Sequence, residues 1–117
     1  MEIVTLYDGR EVDSASEEWR AECEARTVLA MDLVKRADFF QLVEAKRGAD
    51  AVRVLRERCF DLEPHYVLNL PNKPQRTAYL DQVERRFGPN PRKALEEKIM
   101  ALHRARQAVA TETAASA

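Results

Sequence analysis

The chain has 117 residues, 45% apolar and 33% charged, which is enough for one globular domain with a sizeable core. Nineteen Lys and Arg stand against 20 Asp and Glu, a net charge of -1, so no overall basic field draws the chain onto nucleic acid or a membrane. The longest apolar run, Val28 to Met31, is four residues and excludes a membrane-spanning helix, and 3 glycines with 7% aromatics argue against an all-β sandwich. Glu2 and the lack of a basic leader predict no signal peptide. Two distant cysteines, Cys23 and Cys59, then fit a reducing, cytoplasmic setting.

The first twelve residues read as a β-hairpin. Ile3, Val4, Leu6 and Tyr7 favour an extended arm, Asp8-Gly9 favours a two-residue turn with positive φ at both positions, and Arg10 to Val12 returns. Ser14 with Glu17 three residues on fits a capping box, predicting a helix over 15–31 with Trp19, Cys23, Ala25, Val28, Leu29 and Ala30 on its apolar side. Asp32 can cap a second helix over 33–47, ended by Gly48 in the left-handed conformation. A third helix over 49–62 places Val52, Leu55, Cys59 and Leu62 inward, and Pro64 is expected to stop it. A short turn over 66–70 follows. Pro74 suits the first turn of a helix running to Phe87, with Tyr79, Leu80, Val83 and Phe87 inward. Gly88-Pro89-Asn90-Pro91 reads as a break, with Asn90 capping a last helix that fades from about Ala108 into a flexible Ala/Thr/Ser tail, 108–117.

The chain resembles itself. Val28-Leu29-x-Met31 matches Val67-Leu68-x-Leu70 at an offset of 39. One insertion later the offset is 40, pairing Phe39-Phe40 with Tyr79-Leu80, Val43-Glu44 with Val83-Glu84, Gly48 with Gly88, Leu55 with Leu95, and Cys59-Phe60 with Ile99-Met100. Matches on apolar positions and on the glycine are what two copies of one packing unit require. The expected product is one compact, mainly α domain over 1–107, with a 1–12 hairpin and a repeat over 28–62 and 67–104. Its core is expected from Trp19, Leu29, Phe40, Val43, Leu55, Leu80, Val83, Leu95 and Ile99.

Catalytic chemistry is not visible. Cys23, Cys59, His65 and His103 have no paired metal-ligand spacing, so no metal is expected, and no Ser or Cys nucleophile is matched to a base. The glycines are scattered, so there is no phosphate loop and no cofactor is expected. Adjacent carboxylates such as Glu17-Glu18 and Glu96-Glu97 point apart on a helix. The reading is not an enzyme.

Charge is distributed unevenly. Residues 1–32 carry net -6 and residues 33–117 net +5. Glu11, Asp13, Glu17, Glu18, Glu22 and Glu24 form an acidic strip, and Glu17, Glu18, Glu22 and Glu24 are the candidate contacts for a basic partner. Lys46-Arg47 edges the first glycine turn. Arg85, Arg86, Arg92 and Lys93 edge the second and are the alternative candidates, for nucleic acid. Four cations are few for nucleic-acid binding at physiological salt. The hairpin edge can also pair between subunits of a homo-oligomer.

Three runs carry a resemblance to known proteins: Cys23-Glu24-Ala25-Arg26-x-Val28-Leu29-x-Met31, Arg76-x-x-Tyr79-Leu80-x-x-Val83-Glu84-x-x-x-Gly88, and Leu95-Glu96-x-x-Ile99. With Tyr7-Asp8-Gly9-Arg10 and Glu18-Trp19-Arg20 they resemble small proteins of proteobacterial phages and prophages, over most of the chain to about residue 105. Pro71 follows that pattern, whereas Asp32 departs from it in the first copy. The resemblance implies a mobile-element origin and a host-directed role. The expected function is a protein that binds a host protein and changes its activity, for example an inhibitor of a bacterial defence system such as an anti-CRISPR protein. A small nucleic-acid-binding regulator is the alternative.

Overall fold

A computed structural model describes residues 2–116. The order is β1 (Ile3–Thr5), β2 (Glu11–Asp13), α1 (Glu17–Ala30), α2 (Leu33–Arg47), α3 (Ala49–Leu68), α4 (Lys73–Phe87) and α5 (Pro89–Ser116). The fold is mainly α behind a short hairpin. Within the stretch read as one domain lie two compact units, Met1–Glu63 and Pro64–Ala117.

In the first unit, β1 and β2 pair antiparallel with Val4 opposite Val12. The turn differs from the expected two-residue form. Gly9 N–H donates to the Leu6 carbonyl at 3.0 Å, Leu6 N–H donates to Arg10 at 2.8 Å, and only Gly9 has positive φ. This is a three-residue loop with the glycine at the bulge, so Asp8 needs no unusual backbone. Asp8 instead accepts from Arg10 N–H at 3.0 Å and pairs with its guanidinium at 2.7 Å. Those contacts hold its carboxyl below the usual range.

The cap of α1 is Ser16, whose Oγ accepts from Trp19 N–H, and not Ser14. Ser14 is drawn into the hairpin, where its N–H donates to Glu2 at 2.9 Å. Asp32 caps α2 as expected, accepting from Lys35 N–H at 2.9 Å. The buried apolar residues of the unit are Leu6, Ala25, Val28, Leu29, Leu33, Val43, Val52, Leu55, Cys59 and Leu62. Of the core expected here, Leu29, Val43 and Leu55 are buried, while Trp19 and Phe40 keep partial exposure under the guanidinium groups of Arg26 and Arg56.

Pro64 does not end α3, which continues to Leu68. A proline inside a helix forgoes one backbone bond. Leu62 and Val67, both buried on either side of it, anchor the two halves of the helix. In the second unit Asn72 caps α4, accepting from Gln75 N–H at 2.9 Å, with Pro74 in the first turn. The break before α5 is one residue long. The helix resumes at Pro89, and both Pro89 and Pro91 sit in the first turn, where backbone N–H groups have no helical partner. Asn90 is therefore inside the helix and not its cap. At the other end α5 passes Ala108 and reaches Ser116, through Ala, Thr and Glu residues that do not break a helix. Val67, Val83 and Leu95 are buried, Leu80 and Ile99 partly so, and Phe87, expected inward, is 59% exposed.

The two units share their joints. Gly48 has φ 92° and ψ 171°, and Gly88 has φ 99° and ψ 175°, a region that only glycine enters without strain. Each glycine N–H donates to a glutamate carbonyl four residues back, Glu44 at 2.9 Å and Glu84 at 2.8 Å. Upstream, Met31 N–H donates to Val28 and Leu70 N–H to Val67, both at 3.1 Å.

Candidate functional site

The acidic strip does not survive folding as one surface. Glu17 and Glu18 are exposed in the first turn of α1, where the helix dipole favours them. Glu22 is 2% exposed. Its Oε1 accepts the backbone N–H of Tyr7, and its Oε2 lies 2.7 Å from Arg26 Nη2. It anchors the hairpin to α1 and is unavailable to a partner. The sequence held a signal for this: Glu22, Ala25 and Leu29 are spaced three and four apart, on the inward stripe. Glu24 lies 3.1 Å from Arg47 and joins α1 to the end of α2. Outside α1, Glu11 is exposed at the start of β2 and Asp13 accepts from Ala15 N–H at 3.0 Å.

The basic candidates also divide. Arg92 faces α4 and is bound by three carboxylates: Asp81 at 2.6 Å, Glu96 at 2.8 Å and Glu84 at 3.3 Å. It is a structural clamp between α4 and α5, not a free cation. Arg85, Arg86 and Lys93 are exposed around the Gly88 joint, beside the exposed Phe87. At the first joint Arg47 is engaged by Glu24.

Cys59 is buried, and burial raises its thiol to about 11. A neutral thiol with Sγ 3.9 Å from the Ala25 carbonyl is packing, not a nucleophile. Cys23 is a half-buried free thiol. Burial, then the nearby Asp61 carboxylate, raises the Tyr7 phenol. His65 is half-buried with Nδ1 3.4 Å from Arg106, which also donates to Asn69 at 2.8 Å. His103 is exposed on α5. Among the described residues no group of three or more His, Cys, Asp or Glu could hold a metal ion, and no helix is long and apolar enough to cross a membrane.

Two arginines were not singled out by sequence. Arg36 Nη2 donates to the Leu29 carbonyl at 3.2 Å, and its Nη1 lies 3.7 Å from Glu63. Arg76 Nη1 donates to the Leu70 carbonyl at 3.2 Å. Each arginine stands four residues after a cap, Asp32 or Asn72, and reaches back to a backbone carbonyl shortly before that cap: Leu29 in the last turn of α1, and Leu70 in the link that follows α3. Their spacing of 40 was the available signal.

A family model, Family of unknown function (DUF7696), matches the chain twice, over residues 12–65 and 57–106. The unit is thus duplicated, and the matches overlap inside α3, which closes the first copy and opens the second. No curated protein and no solved structure matches the chain.

Proposed function

We propose a function for a chain that belongs to the Family of unknown function (DUF7696): it is a phage-derived, non-enzymatic helical-repeat protein that binds a host protein in the bacterial cytoplasm and alters its activity. Inhibition of a host defence system is the concrete form suggested by the resemblance to phage proteins. The observation that carries the reading is a contrast in side-chain use. The groups able to do chemistry (Glu22, Cys59, Arg36 and Arg92) are taken up by contacts inside the fold. Large apolar side chains are left on the outside: Phe60 is 61% exposed, Phe87 59% and Met100 49%. Phe60 and Met100 stand at the same place in the two copies. Exposed aromatic and Met side chains are the usual anchors of protein interfaces.

The test is affinity capture from the bacterial host with the tagged chain and with Phe60→Asp, Phe87→Asp and Met100→Asp. The expected result is a host protein held by the wild type in fixed proportion, and lost from at least one variant that keeps its helical circular dichroism. Equal capture by all four proteins rejects the reading. The second reading, nucleic-acid binding, is favoured by Arg85, Arg86 and Lys93 beside Phe87. Co-purifying material that is destroyed by nuclease would support it instead.

A further inference from the structure

We propose that the Gly88 joint, and not the Gly48 joint, is a docking point for an acidic segment of a protein partner; this rests on the protein-binding reading above. The two joints have the same backbone and begin, in sequence, with similar basic edges. Folding makes them different. At Gly48, Arg47 is drawn to Glu24 on α1, 3.1 Å away. At Gly88, position 87 is a phenylalanine, 59% exposed, and Arg85 and Arg86 stand exposed beside it.

Helix stability does not account for the whole group. Cations in the last turn of α4 suit its dipole, which covers Arg85 and Arg86. Lys93 lies near the N-terminal end of α5, where the dipole does not favour a cation. Three nearby carboxylates, Asp81, Glu84 and Glu96, gather on Arg92 instead, and Glu97, one turn on from Lys93, stands exposed. Since Arg92 touches Asp81 and Glu84 across the α4–α5 pair, Lys93 is held at the same end of that pair as Arg85 and Arg86. The result is three exposed cations and one exposed aromatic ring at a tip fixed by a single glycine.

Three cations are too few for tight nucleic-acid binding at physiological salt, because affinity there depends on the number of phosphates neutralised. Carboxylates flanking an apolar side chain match the arrangement better: the apolar group covers Phe87, and the acids meet Arg85, Arg86 and Lys93. Charges of this kind set specificity and association rate more than affinity.

The experiment uses the full chain and three immobilised probes at low and physiological salt: poly-L-glutamate, a glutamate–leucine copolymer and a short DNA duplex. The expected result is retention on the copolymer beyond that on poly-L-glutamate. Reversing Arg85, Arg86 and Lys93 to Glu should weaken copolymer binding by about tenfold or more, and Phe87→Ser should remove the preference for the copolymer. Reversing Lys46 and Arg47, which removes four of the six charges that the triple reversal removes, should leave binding within about twofold. Equal losses from the two joints, or no retention of the wild type at low salt, overturn the proposal, and continued capture of a host protein would then leave the broader reading standing. Duplex binding tighter than copolymer binding overturns both.

Discussion

The first and second units carry the same joints around different interiors. At a spacing of 40, Asp32 and Asn72 both cap, Arg36 and Arg76 both reach back, and Gly48 and Gly88 adopt the same backbone. Val43 and Val83 are both buried, as are Leu55 and Leu95. Elsewhere the interiors diverge. Leu33 is buried where Lys73 is exposed, and buried Val52 corresponds to Arg92, clamped by three carboxylates. Burying a valine is worth roughly 1.5–3 kcal/mol. Ion pairs to carboxylates as exposed as these contribute less than that, and less still in salt. The two copies agree in what sets the chain's path and differ in the interior, with apolar packing in the first unit and a polar clamp in the second. At these positions the first unit gains more from packing than the second.

The largest test of this difference is truncation at the shared core position. Leu55→Ala should cost about 3–5 kcal/mol, because Val52, Cys59 and Leu62 around it on α3 are buried and cannot collapse into the gap. Leu95→Ala should cost less, about 2–3 kcal/mol, since Ile99 and Leu102 on α5 keep partial exposure and can adjust. Urea unfolding of the two variants measures both. Equal losses would mean that the interiors are equally tight.

The joints supply the opposite prediction, equality. A Cβ at Gly48 or Gly88 meets nothing within 4 Å, so the whole cost of alanine is backbone strain at positive φ. Gly48→Ala and Gly88→Ala should each cost about 1–3 kcal/mol and agree within about 0.5 kcal/mol. A clear difference between them, read from thermal unfolding, would break the equivalence of the joints.

A smaller effect belongs to the first unit alone. The Cys59 thiol is raised by burial from its ordinary value of 9.0 to about 11. A group whose folded value is raised contributes stability that is complete below the unfolded value and lost as pH rises through the folded one. The chain should therefore lose at most roughly 3 kcal/mol between about pH 9 and 11 from this group. The raised Tyr7 phenol adds a loss of the same sign in the alkaline range. Cys59→Ala should flatten the part that begins near pH 9; an unchanged slope in chemical unfolding at stepped pH would exclude Cys59 as its source.

Several features were legible before folding because they depend on neighbours a few residues apart. The Asp32 cap, the 33–47 helix, the Pro74 start and the glycine stops are local. The hairpin and the repeat followed from pattern and spacing. The errors came where a local rule met a competing contact. Ser14 fits a capping box, but its backbone pairs with Glu2, which leaves the cap to Ser16. Pro64 is a breaker by propensity, yet buried residues on both sides of it outweigh the lost backbone bond.

The site was less legible than the fold, since charge in a sequence does not say where charge stands. Eight residues, four acidic and four basic, formed two candidate surfaces. Tertiary packing removed Glu22 by burial, tied Glu24 to Arg47 and placed Arg92 among three carboxylates. It also turned Phe87 outward, against its helical spacing. What the sequence determined by itself was the helical class, the duplicated unit and the position of both glycine joints, because periodicity and backbone preference are properties of short segments. Which charges remain free was decided only by the tertiary structure, because Glu24 and Arg92 are neutralised across elements: Glu24 by Arg47, 23 residues away, and Arg92 by Asp81 and Glu84, 11 and 8 residues away.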